Sequence, residues 1–303
     1  MSDINVPPVS GSAGELQRKR PPRAAYALPS LFTAGNIFLG YLSIVRTIEG
    51  AILFHANPDA AALDFRIAAQ TIGWSFVLDG LDGRVARMTN TTSEFGKELD
   101  SLADIISFGI APAILAYVWG VHFVAPVAGG PAGIDQLQKA GTFLAFLFLV
   151  CGAARLARFN VQKNPVPKNP GSPDKKYFVG LPIPAGAGLI ASIIYGQGSM
   201  PLSDWMWSSA WMALLGLVSF LMVSTWRYHS FKELNFMRPR SPVMVVFMCS
   251  LIFAIWNWSQ QVLLVLAGVY VASGVLIRLG GLARRLFGGT PRDTSARSVN
   301  NIA

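Results

Sequence analysis

The chain alternates between apolar blocks and short polar segments, and the blocks set its architecture. The first runs from Leu28 to Val45 and meets its first charge at Arg46. In all, eight candidate spans emerge, at 28–47, 66–88, 97–119, 139–159, 180–198, 207–226, 242–258 and 261–279. At about 1.5 Å per helical residue, most can cross a hydrocarbon core of ~30 Å. Only Ser259 and Gln260 separate the last two, which predicts a tight helical hairpin. A Pro182/Pro184 pair predicts a kink at the start of the fifth span. The fold class expected is therefore an all-α integral membrane protein. A disordered basic lead occupies 1–27, a transmembrane domain that carries the chemistry 28–279, and a basic tail 280–303. The first apolar run starts late and is too long for the ~7–15-residue apolar region of a cleaved signal peptide.

Composition removes the soluble alternatives. Of 303 residues, 52% are hydrophobic and 14% charged, with a mean hydropathy of +0.44, whereas ordinary soluble domains carry roughly a quarter charged residues. A net charge of +9 raises the question of nucleic acid, and the placement of the charges answers it. Of 25 Lys and Arg, 22 fall in 1–27, 84–97, 155–179, 226–241 and 278–303. Arg46, Arg66 and Lys139 lie on the other side. That asymmetry orients membrane helices, predicts both termini in the cytoplasm and leaves no basic face for nucleic acid. Cys151 and Cys249 sit in apolar blocks and read as small core hydrophobes. His55, His122 and His229 lack metal-ligand spacing, and no internal repeat is visible. Trp205, Trp207, Trp211, Trp256 and Trp258 near outer span ends fit an aromatic belt.

Chemistry concentrates in one window. Asp79 and Asp82 are three residues apart, Asp100 and Asp104 four apart, so on helices each pair shares a face. The turn between spans two and three is short, which makes them antiparallel neighbours and brings the pairs to a similar depth near the cytoplasmic surface. Inserting an Asp at a membrane-helix centre costs about 2.5–3.5 kcal/mol, and crowded carboxylates repel. One or two divalent cations remove both problems, and carboxylate oxygens suit Mg²⁺, Mn²⁺ or Ca²⁺. Ion pairs with Arg84, Arg87 and Lys97 would account for one or two acids, not for four in register. Gly83 and Gly96 beside the acids point to close approach of a ligand, or to helix packing. Ala86 and Arg87 continue the same face and suit a flat base and a phosphate.

The run Asp79-x2-Asp82-Gly83-x2-Ala86-Arg87, eight residues, Gly96-x3-Asp100-x3-Asp104 resembles the signature of the CDP-alcohol phosphatidyltransferase family at every defined position. The resemblance implies a usually dimeric six-helix core, here with two added helices, whose site opens to the cytoplasm. It implies transfer of a phosphatidyl group from a CDP-linked lipid to an alcohol, with release of CMP. By the same resemblance, Asp79, Asp82, Asp100 and Asp104 are metal ligands for Mg²⁺ or Mn²⁺, as two ions, with Asp104 also the general base. Gly83, Ala86, Arg87 and Gly96 line the CDP site. Many members open the first helix with Pro-Asn before a Thr, whereas this chain has Pro29-Ser30 before Thr33, with Asn36 one turn on. Thr33 is assigned to nucleotide contact.

The acceptor is read from the surroundings. The stretch Asp100–Gly109 with Ala111-Pro112, the run Arg155–Asn160, and the run Phe178–Pro184 resemble the branch whose acceptor is L-serine. Serine brings a carboxylate and an ammonium, so its pocket needs a cation and an acceptor. Arg155, Arg158 and Asn160 are candidates, although positive-inside anchoring also accounts for the two Arg. The expected partners are CDP-diacylglycerol, L-serine, membrane lipids and a second copy of the chain. The expected location is a prokaryotic inner or plasma membrane. Glycerol phosphate, inositol phosphate or choline as acceptor, or an ether-linked lipid, are the alternatives within the family. An ion-coupled transporter is the alternative outside it, and predicts acids spread through the membrane depth.

Overall fold

The computed structural model describes residues 23–88, 94–125, 133–162, 177–229 and 242–287. Among them are eight helical rods and one short ribbon. The rods are α1 (Arg23–Leu53), α2 (Pro58–Met88), α3 (Glu94–His122), α4 (Ile134–Gln162), α5 (Ile183–Gly196), α6 (Trp205–Val223), α7 (Pro242–Asn257) and α8 (Ser259–Phe287). Each candidate span falls on one rod. Five stretches are long and apolar enough to cross a membrane: Leu31–Leu53, Glu94–His122, Asp135–Val161, Trp205–Val223 and Ser259–Arg278. The terminal segments 1–22 and 288–303 lie outside the described residues.

Helices α1 and α2 form the most extensive pair. From Leu31 onward, the buried residues of α1 are Thr33, Asn36, Gly40, Ser43, Thr47 and Gly50, a strict three-four alternation of small or polar side chains. Inside a membrane the hydrophobic effect does not drive helices together, so close backbone approach over small residues does. The pairing is antiparallel: Thr33 bonds Asp82, Ser43 Oγ donates to Ala68 O at 2.9 Å, and Arg46 pairs with Asp64 at 3.1 Å. Arg46 also meets Glu49 at 2.9 Å, so the cation left on the far side is held within the fold. Gly40 faces α3. A Cβ there would lie 2.9 Å from the Ser107 Cα, and Ser107 Oγ donates to Asn36 O at 2.8 Å.

Rod α3 is not uniform. It is α-helical over Glu94–Asp104, widens to π geometry over Ile105–Ile110, returns to α over Ala111–Tyr117 and widens again over Val118–His122. Pro112 explains the first widening, since it has no N–H to donate one turn back and its ring crowds the preceding turn. The Ala111 N–H accordingly reaches Ile106 O, five residues back.

Two expectations are corrected here. The prolines of the fifth span do not kink a helix: Pro182 caps α5 and Pro184 lies in its first turn, where a missing N–H costs nothing. Trp211 is not a belt residue. It is 5% exposed, donates from Nε1 to Ala116 O at 2.9 Å and packs edge-on against Trp119 at 5.1 Å. Trp207, Trp256 and Trp258 do face outward. Both cysteines are free, and Cys249 faces outward rather than into a core.

Before α5, strand β1 (Tyr177–Val179) pairs antiparallel with β2 (Arg227–His229), Phe178 opposite Tyr228. Gly180 ends β1 at φ +78°, where a Cβ would meet the Met222 and Ser224 carbonyls. The ribbon ties the segment entering α5 to the segment leaving α6.

Candidate active site

Three of the four aspartates converge. One carboxylate oxygen from each of Asp79, Asp100 and Asp104 lies within 4.8 Å of the other two, and all three side chains are half-buried. Asp79 comes from the last three turns of α2. Asp100 and Asp104 come from the first segment of α3, one turn apart on the face turned to α2. The Asp79 and Asp104 carboxyls are within hydrogen-bonding distance of each other. Asp104 Oδ1 is sealed from solvent and has no hydrogen-bond partner among the described residues. Sealed acceptor oxygens are costly, and facing carboxylates need a proton or a cation between them. The donor set is hard oxygen throughout, so these residues fit a divalent metal such as Mg²⁺ or Mn²⁺.

Asp82 stands slightly apart. It is 6% exposed, and its carboxylate accepts a hydrogen bond from the Thr33 hydroxyl on α1. Thr33 therefore engages the acid cluster directly. Gly83 follows on an open face: a Cβ there would meet nothing within 4 Å. Among the described residues, nothing packs against that side of the glycine, which leaves room beside the acids. Gly96 is half-buried in the first turn of α3. The side chains of Ala86 and Arg87 lie outside the described residues. Lys97 pairs with Glu94 at 2.7 Å.

The end of α4 lies beside the acids. Asn160 Nδ2 donates to Ser101 Oγ at 2.8 Å, which ties α4 to the residue after Asp100. Arg155 is 8% exposed, stands 5.7 Å over the Phe159 ring, and lies within electrostatic reach of Asp104 and Tyr270. Arg158 turns away: its Nη1 donates to Val223 O at 3.3 Å, at the end of α6. The three candidates thus divide, with Arg155 and Asn160 toward the acids and Arg158 toward the fold. Tyr270, within electrostatic reach of Arg155, packs against Tyr228 with ring centroids 5.8 Å apart. Burial pushes the Tyr228 phenol up to about 12, which keeps it uncharged. Sequence reasoning did not single out either tyrosine. Both sit in stretches that carry no chemical motif.

A bundle of membrane-length helices around a half-buried carboxylate trio defines a helical membrane protein with a centre suited to a divalent metal. Residues 26–215 match the model of the CDP-alcohol phosphatidyltransferase family, and the chain belongs to that family. A relative from Helicobacter pylori is 35% identical over 252 residues, covering 83% of this chain and 90% of its own length. One from Methanocaldococcus jannaschii is 33% identical over 207 residues, 68% of this chain and 82% of its own. One from Saccharomyces cerevisiae is 44% identical over 160 residues, 53% and 50% of the two chains. All three are named CDP-diacylglycerol–serine O-phosphatidyltransferase.

Proposed function

We propose that this protein transfers the phosphatidyl group of CDP-diacylglycerol to the hydroxyl of L-serine, giving phosphatidylserine and CMP. The observation that carries the reading is the carboxylate trio with its sealed Asp104 oxygen, set beside a buried arginine in a chain whose relatives bear that name. The serine oxygen forms a bond to the phosphorus that bears diacylglycerol. The phosphorus–oxygen bond to CMP breaks, and CMP leaves with the electron pair. Asp104 takes the hydroxyl proton as the bond forms, since a carboxylate is far too weak a base to remove it beforehand. Asp79, Asp82, Asp100 and Asp104 would hold Mg²⁺ or Mn²⁺, as two ions, which neutralise diphosphate charge and stabilise the leaving phosphate. Thr33 orients Asp82. Gly83, Ala86, Arg87 and Gly96 are assigned to the CDP moiety, for which the open face at Gly83 leaves room. Arg155 and Asn160 are assigned to serine, the guanidinium matching a carboxylate in planar fashion.

We read the chain as an eight-span homodimer in a prokaryotic inner or plasma membrane. Both termini and the site face the cytoplasm, a reading supported by the basic-residue asymmetry.

The test is CMP release by detergent-purified protein given CDP-diacylglycerol, Mg²⁺ or Mn²⁺, and a panel of alcohols. Release is expected to require serine and metal, and to fall at least a thousandfold in Asp104→Asn, the order expected when base and ligand are lost together. Metal-dependent release with glycerol phosphate, inositol phosphate or choline instead would reassign the acceptor. Metal-independent release would remove the role of the aspartates.

A further inference from the structure

The segment of α3 that carries Asp100 is weakly rooted. From Glu94 through Leu102 every side chain is exposed or half-buried, and Ala103 is the first buried one. The widened turn at Ile105–Ile110 then separates this segment from the anchored half of the rod. We propose that Ser101 and Asn160 are positioning residues of the metal centre: their hydrogen bond latches the acid-bearing segment of α3 to α4 and holds Asp100 in place for the cation. The proposal rests on the reading of Asp100 as a metal ligand and adds to it the device that fixes that ligand.

The bond is directional. Ser101 Oγ donates its single proton to Lys97 O at 3.0 Å, in the first turn of α3. Toward α4 the same oxygen can only accept, and Asn160 Nδ2 donates to it at 2.8 Å. The chain therefore runs from the Asn160 amide through the Ser101 hydroxyl to the α3 backbone. Nδ2 is committed to Ser101, so the part assigned above to Asn160 in binding serine falls to its Oδ1. Ser101 follows Asp100 by one residue and precedes Asp104 by three. It lies about 100° around the helix from Asp100, on the flank of the acid face, where a lateral bond resists rotation of the segment about its own axis.

A latch works only if its post is firm, and the end of α4 is braced. Phe148 and Leu156 are buried, and Gly152 is so close to α5 that a Cβ would lie 2.6 Å from the Ile183 side chain. Arg158 Nη1 donates to Val223 O at the end of α6. Arg158 and Asn160 are two residues apart, about 200° around α4. One therefore secures the helix to α6 while the other reaches α3.

The experiment compares wild type, Ser101→Ala, Asn160→Leu and the double variant. Mn²⁺ binding is read without substrate from the paramagnetic resonance of the free ion, and amide exchange over Glu98–Asp104 is followed in metal-free protein. Each single variant is expected to weaken Mn²⁺ binding about fivefold, the scale of one neutral hydrogen bond. The double variant should be no worse than either, since both remove the same bond. Exchange should quicken by a similar factor in all three. The sign decides the cause, because alanine is a better helix former than serine. A purely local effect of Ser101→Ala would slow exchange. CMP release by Ser101→Ala should return to within about twofold of wild type at saturating Mn²⁺, which general destabilisation would not allow. Unchanged Mn²⁺ affinity in Ser101→Ala, slower exchange, or multiplied effects in the double variant each overturn the proposal and leave the metal centre standing. No Mn²⁺ binding by wild type overturns the metal reading itself.

Discussion

The Thr33 hydroxyl donates to Asp82 across the α1–α2 seam, and both side chains are nearly sealed, at 4% and 6% exposure. Thr33→Val keeps the volume and leaves a buried carboxylate oxygen without its donor. A hydrogen bond to a charged group contributes ~1.5–3 kcal/mol, so the Mg²⁺ concentration for half-maximal CMP release should rise tenfold or more. Thr33→Ser should restore most of it, and an unchanged metal titration in Thr33→Val would remove Asp82 from the metal site. At this scale the sequence is informative about faces and silent about partners. Spacings of three and four put the acids on common helix faces without any tertiary knowledge. That Asp82 turns toward Thr33 while the other three converge depends on a contact 49 residues away in sequence.

Hydropathy blocks locate membrane depth rather than helix ends, and the elements show the difference. Helix α1 covers Arg23–Leu53 although its apolar block spans 28–47, because backbone hydrogen bonding continues into polar residues at both ends. The prolines before α5 carry a helix-start signal as readily as a kink signal, and the first prevails because Pro182 sits outside the helix. The seam of small and polar residues along α1 is written in the sequence at 33, 36, 40, 43, 47 and 50. It is hard to notice there, since a membrane helix is apolar on most faces and the inward face is marked by small size instead. Gly40→Val would drive side-chain atoms into the Ser107 backbone, 2.9 Å from the added Cβ. Overpacking of this kind costs about 1–3 kcal/mol, so melting in detergent should move down. Gly73→Ala, where the added carbon meets nothing within 4 Å, should leave it unchanged or raised.

For the molecule as a whole, the acids and the loop between α5 and α6 lie at opposite ends of the bundle. Ala125 N–H, just past the far end of α3, donates to Ser203 O at 3.2 Å, and Leu202 N–H donates to Trp119 O at 2.9 Å. A membrane-impermeant maleimide tests the orientation in intact cells, in a background with Cys151 and Cys249 replaced. Ser203→Cys is expected to label from outside, and Lys97→Cys only after lysis. The reverse pattern would invert the topology and place the site outside the cell.

The widened turn at Ile105–Ile110 sets an angular phase between the two halves of α3. Its N-terminal half carries Asp100 and Asp104, and its C-terminal half is anchored among Trp119, Trp211 and the core. The wide turn accommodates one residue more than an α turn does, so deleting one residue there would let the rod relax to regular α geometry with the two acids still near the α2 face. Deleting a second would turn them off that face by about 100°, the rotation of one helical residue, while every side chain of the anchored half stayed in place. The protein would fold around a dismantled centre. Between Asp104 and Pro112, chain length itself is therefore a functional constraint, independent of which residues fill it.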